Sequence, residues 1–125
     1  MTNELIGAQL ISFNKDKFKV KTARGKIRTF ILEEEEGDCC GYNEVVSTLL
    51  IDKKELANNP IITDIKENDI DDDGEGNRHI FTLVGISKPL AEIDSYSSSG
   101  SGWCYGACVT LVCEETRLSQ ILSSW

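Results

Sequence analysis

Residues 94–113, DSYSSSGSGWCYGACVTLVC, pass from a serine- and glycine-rich stretch into two aromatic rings and three thiols. Side chains of these types serve phosphate-cradling loops, metal or redox centres, or strands that enter a core. A P-loop needs G-x-x-x-x-G-K-[ST] opening onto a helix, and SSSGSG supplies neither the lysine nor the helix. Small residues still let a backbone approach a ligand closely, with hydroxyls and amides as donors. Ser98, Ser99 and Gly100 are therefore candidate ligand contacts, and Trp103 and Tyr105 are the rings beside them. From residue 102 onward both alternating faces are apolar, which predicts a central core strand over 102–113.

The thiols and the imidazole give less. Cys104 and Cys108 lie on one face of an extended strand but about 13 Å apart, too far to share a zinc ion or a disulfide. Cys39 and Cys40 are adjacent and point to opposite sides of any extended backbone. Packing thiols are the reading these spacings favour. A nucleophilic enzyme needs a base beside its serine or cysteine, and the chain has one histidine, His79, next to Arg78 at a strand start. No catalytic residue and no enzymatic activity are expected. In NDIDDDGEGNRHI, Asp69, Asp71, Asp73 and Gly74 match the first half of an EF-hand loop, but the twelfth position is Ile80 and the flanks are strand-like. That segment reads as a solvated acidic loop, so neither a metal nor a cofactor is expected.

The richest cluster is cationic. Residues 15–28, KDKFKVKTARGKIR, hold seven of the thirteen Lys and Arg and one of the twenty-one acids, a local charge of +6 against −14 for the remainder. Alternation places Lys17, Lys19 and Lys21 together, and Lys26, Arg28 and Phe30 opposite Ile27, Thr29 and Ile31, so one face of this hairpin is expected to be cationic. Solubility or protection of a sheet edge would explain it. A concentrated cationic patch on an acidic protein also draws small anions: Arg24, Lys26 and Arg28 suit phosphate, with Phe30 as a ring for a base. The patch could equally receive acidic segments of a second protomer.

The elements that must position these groups follow from period-two alternation broken by turn residues, the pattern of antiparallel hairpins. Strands are predicted at 8–14, 17–22, 26–32, 45–51, 61–68, 78–87, 90–96 and 102–113. A short helix at 53–58 is capped by Asp52 and stopped by Pro60. Leu118, Ile121, Leu122 and Trp125 recur at helical spacing, predicting an amphipathic C-terminal helix, with a frayed strand as the alternative. The fold class is α+β, mainly antiparallel β, a meander-type sheet with one or two short helices.

At 125 residues the chain has the size of a single domain, 1–125. It lacks a run of about 18 apolar residues and its start has no signal-peptide pattern, so a cytoplasmic protein without a membrane partner is expected. An odd count of five cysteines fits a reducing compartment. A net charge of −8 repels a nucleic-acid polymer. The opposed charges and the terminal apolar stripe point to a homo-oligomer.

EGDCCGYNEV (36–45), the NPI step at 59–61, LVGISKPLAEIDSYSSSGSGWCYGACVTLVC (83–113) and a short polar C-terminus resemble a family of small proteins from phages and prophage regions of Gram-positive bacteria, with Asp38-Cys39-Cys40 and the glycine-aromatic final strand carrying the likeness. In size, β-rich pattern and phage setting this family is similar to the Thoeris anti-defence proteins, which sequester cyclic ADP-ribose-type signals and in some cases cyclic oligonucleotides. That similarity implies a non-catalytic homo-oligomer with ligand pockets between protomers, binding a small anionic nucleotide. The first rival is an acidic inhibitor or DNA mimic, led by Glu33–Glu36 and Asp71–Asp73, that occupies a host defence nuclease; the second is a small enzyme using Cys39 or Cys40, which the single histidine disfavours.

Overall fold

The computed structural model describes residues 2–35, 42–72, 76–98 and 107–124. They form a 3-10 turn at Thr2–Glu4, strands β1 (Gln9–Phe13), β2 (Lys17–Lys21), β3 (Ile27–Glu35) and β4 (Tyr42–Leu49), helix α1 (Lys53–Ala57), and strands β5 (Asp64–Asp72), β6 (Gly76–Val84), β7 (Pro89–Ser98), β8 (Cys108–Cys113) and β9 (Ser119–Ser124). The strands make two antiparallel sheets, ordered β1-β2-β3-β8-β9 and β4-β7-β6-β5, with one short α-helix, a β-rich α+β fold. β1-β2-β3 and β5-β6-β7 are the meanders that the hairpin pattern predicts.

The local signals act as expected. Gly25, at φ +84°, turns the chain between β2 and β3, a conformation that costs a glycine little. Asp52 accepts a hydrogen bond from the Glu55 amide at 2.8 Å and starts α1. Asn59 at φ 49°, followed by Pro60, ends it.

Three differences from the expected elements bear on the site. β3 continues through Glu33–Glu35, because β8 pairs with it residue for residue from Phe30 to Glu35. β5 runs to Asp72, so the acidic run is largely strand and not loop. The expected C-terminal helix is not formed: Ser119–Ser124 is β9, hydrogen-bonded to β8 through a bulge at Val109/Thr110. A segment this short, with three serines and a β-branched residue, holds little intrinsic helix, and a ladder to β8 satisfies its backbone instead. The apolar stripe is thereby divided, since Leu122 is buried while Leu118 and Ile121 face outward.

β8 and β9 pack against β6 and β7, and the two inner faces enclose one hydrophobic cluster built on Phe18, Phe30, Phe81, Leu10, Leu83, Ile93 and Leu111. Phe13, Phe18 and Phe30 stack in sequence, with centroids 5.8 and 4.9 Å apart. The free edge of β1 is covered by residues 60–62: Leu10 N donates to Pro60 O at 2.9 Å and Ile62 N to Ala8 O at 2.8 Å. Among the described residues no helix is long and apolar enough to cross a membrane.

Candidate functional site

The register of the basic hairpin decides which cations act together. β2 and β3 pair Lys21 with Ile27, Val20 with Arg28, Lys19 with Thr29, Phe18 with Phe30 and Lys17 with Ile31. Directly opposed residues of an antiparallel pair share a face. Lys17, Lys19 and Lys21 therefore stand outside with Ile27 and Ile31, while Arg28 and Phe30 lie on the inner face with Val20 and Phe18. The single cationic face expected from alternation is corrected to two separate groups of cations. The lysines are not edge guards either, because β2 lies between β1 and β3.

The inner group makes a recess at the end of the sheet. Asn3, Glu4 and Ile6 from the N-terminal segment, Thr22, Ala23 and Arg24 from the turn, and Lys26 and Arg28 from the start of β3 line a space of about 370 Å³. Thr22 Oγ1 accepts from Lys26 N at 3.1 Å and Gly25 N donates to Thr22 O at 2.8 Å, fixing the turn that carries Arg24 and Lys26. Both of these are exposed and make no ion pair among the described residues. Arg28 is different: its side chain is 17% exposed and its Nε donates to Glu4 Oε2 at 2.7 Å. That hydrogen bond raises the guanidinium's pKa above its already high value, against a smaller opposing effect of burial. Three cations and one carboxylate thus face one small space, with the apolar side chain of Ile6 as a wall.

Of the expected ligand contacts, Arg24, Lys26 and Arg28 are brought together. Phe30 is not with them as a platform: it is 1% exposed, stacked on Phe18 in the core, because the register turns it inward. Ser98 stands elsewhere. It ends β7, beside Ser97, whose hydroxyl donates to Asn43 Oδ1 at 2.7 Å, and Asn43 Nδ2 donates to Glu35 O at 2.9 Å. Glu35 and Arg28 are separated by seven steps along β3, about 23 Å, so within one chain Ser98 and the cationic recess occupy opposite ends of the fold. Ser99, Gly100, Trp103 and Tyr105 lie outside the described residues, as do Cys39, Cys40 and Cys104.

Two further groups are not legible in the sequence alone. His79 is buried on the inner face of β6, with Nδ1 against Asp69 Oδ1 and Nε2 3.0 Å from Glu67 Oε1. Gln120 of β9 donates to the same Glu67 oxygen at 2.5 Å, so the cluster joins the two sheets. The sequence signal was the alternation of acids at 67, 69 and 71, which means nothing until β5 is set opposite β6. With both ring nitrogens turned to carboxylates, this imidazole ties β6 to β5.

On the outer face of the second sheet, Glu44, Val46, Ile70, Arg78, Asp94 and Tyr96 line a shallow recess of about 450 Å³. Arg78 clasps Asp94 through Nε at 2.8 Å and Nη2 at 2.5 Å. Tyr96 meets Tyr42 edge-on at 6.4 Å and lies across Gly76, where a Cβ would fall 2.5 Å from its hydroxyl. Among the described residues no cluster of histidine, cysteine and acidic side chains is arranged to hold a metal ion.

Comparison with protein-family models, with curated proteins and with solved structures found no match.

Proposed function

We propose that this protein is a non-enzymatic binder of a small anionic nucleotide, held at the recess of Arg24, Lys26 and Arg28, and that it acts by sequestering that ligand. The observation that carries the reading is the convergence of three cations on one recess of about 370 Å³ in a chain whose net charge is −8. A guanidinium offers paired N–H donors to phosphate oxygens, exposed Arg24 and Lys26 supply flanking charge, and Ile6 and Ala23 give apolar surface for a sugar or base. The strong field of a small cationic cleft in an acidic surface favours a compact anion over a polymer, which the surrounding acids repel. The resemblance of the sequence to a family of small phage and prophage proteins, itself similar in size, β-rich pattern and phage setting to anti-defence proteins, supports an immune signal, a cyclic ADP-ribose-type or cyclic oligonucleotide, as the ligand in the host cytoplasm. Pockets completed between copies of a homo-oligomer would be one way to bring Ser98 and its neighbours to the hairpin of another protomer.

Calorimetry with cyclic ADP-ribose, cyclic di-AMP and inorganic pyrophosphate tests this reading. Binding by at least one of them, weakened roughly ten- to a hundredfold by Arg28→Ala, is expected, since a hydrogen bond to a charged group contributes about 1.5–3 kcal/mol. Arg28→Lys should restore affinity only in part, because a point charge lacks the planar fork. No binding of any probe, or equal binding by all three proteins, would remove the recess from the reading. A second reading, an acidic inhibitor of a host nuclease, is favoured by the ordering of Glu33–Glu35 within β3, where they line a recess of about 450 Å³ with Cys108 and Thr110. Capture of a nuclease that Glu33→Lys abolishes, without nucleotide binding, would establish it instead.

A further inference from the structure

The proposed anion site already contains an anion. We infer that Glu4 is a built-in competitor: its carboxylate occupies Arg28 in the free protein, and an incoming phosphate must displace it. The inference rests on the nucleotide-binding reading and adds to it the control of affinity at that site.

The geometry supports displacement without refolding. Leu5 and Ala8, which follow Glu4, are fully buried and anchor the segment, and Gly7 N donates to Ile62 O at 2.7 Å. Glu4 itself sits on a single 3-10 turn with its side chain 38% exposed, so a rotamer change carries the carboxylate into water while the backbone stays in place. Arg28 cannot retreat in the same way. It is the inner-face residue next to Phe30 in the register, with its side chain 17% exposed, and the stem is held beside the core. Arg24 and Lys26 are positioned to attract a second negative charge that one carboxylate does not neutralise. The recess therefore holds a net positive charge even when Glu4 is in place, which draws the ligand in, and Glu4 sets how tightly it is kept.

An exposed or half-exposed ion pair is worth a few tenths to about 1 kcal/mol, which limits the competition to roughly two- to fivefold, rising toward tenfold where the pair is partly buried. Titration of the full chain with inorganic pyrophosphate at fixed ionic strength reads the effect directly. Glu4→Gln and Glu4→Ala should each bind about three- to tenfold tighter than the wild type, and the gain should vanish when Arg28→Ala is added to either. Circular dichroism and thermal unfolding of the same samples establish that the variants are folded. Unchanged or weaker binding by both folded variants, beside Arg28-dependent binding by the wild type, overturns the competitor role and leaves the proposed function standing. Binding by Glu4→Ala with none by the wild type supports the competitor and overturns constitutive sequestration. Absence of binding in all three folded proteins overturns both.

Discussion

Replacing Phe30 separates a ligand platform from a core residue more sharply than any other change. The ring is 1% exposed, sits directly opposite Phe18 with centroids 4.9 Å apart, and pairs across to Cys113 of β8. Truncation to alanine removes a fully buried aromatic from the centre of the sheet, where neither β2 nor β8 can collapse into the space without breaking its ladder. Phe→Ala substitutions at such sites cost about 3–5 kcal/mol, of which roughly 0.5–1.5 kcal/mol reflects the lost ring pair. Against a total stability on the order of 5–15 kcal/mol this is a large fraction. At roughly 3–5 °C per kcal/mol for a chain of this size, the melting temperature should fall by about 10–20 °C. Urea unfolding followed by tryptophan fluorescence gives the free energy; the milder Phe30→Leu, which keeps most of the volume, should lose less than half as much. The same Phe30→Leu protein should bind pyrophosphate as the wild type does, because the ring does not line the recess of Arg24, Lys26 and Arg28. A variant that keeps wild-type stability but loses tenfold or more in affinity would place the ring on the ligand and refute the inward register.

Gly76→Ala should destabilise the second sheet and displace Tyr96, since the added Cβ would lie 2.5 Å from the Tyr96 hydroxyl and 2.9 Å from the Ser97 carbonyl oxygen; a crystal structure showing Tyr96 unmoved would contradict this. Glu115 is pushed up by burial, but hydrogen bonds from the Thr29 amide (2.6 Å) and side chain outweigh this and hold it below the ordinary carboxylate value. A lowered folded pKa stabilises above the unfolded value and is lost as pH falls through the folded one. Glu115→Gln should therefore cost up to about 1 kcal/mol at neutral pH. The difference should begin to narrow in urea titrations as pH falls below the unfolded carboxylate value and should close only below the folded one. Asp52→Ala removes the cap of α1 and should cost about 1 kcal/mol in the same assay, with Asp52→Asn costing less. His79→Leu leaves Asp69 and Glu67 without their shared partner, and a loss of about 1–3 kcal/mol is expected; an equally stable variant would show that the imidazole does not help hold β5 on β6.

What the sequence determined by itself was local. Alternation of side chains placed eight of the nine described strands, because each strand writes its two faces into period two whatever it pairs with. Gly25 and Asp52 marked a turn and a helix start because φ beyond zero and an orphan amide are requirements of a few neighbouring atoms. The concentration of charge at 15–28 was equally visible and does lead to a cationic recess. Everything that depended on a partner far along the chain was decided only by the tertiary structure. β9 reads as a helix in isolation, since Leu118, Ile121 and Leu122 satisfy that spacing; its ladder to β8 overrides it. The β2–β3 register, set by the turn, sends Arg28 and Phe30 inward and the lysines outward, a choice that one residue of slip would reverse. Glu4 on Arg28, twenty-four residues away, and Glu67 and Asp69 on His79 are contacts between separate strands and segments. Carboxylates occur throughout an acidic chain, so no composition or spacing singles out these three; only the folded backbone, by bringing two distant segments within about 3 Å, turns one of many acids into the partner of a particular side chain.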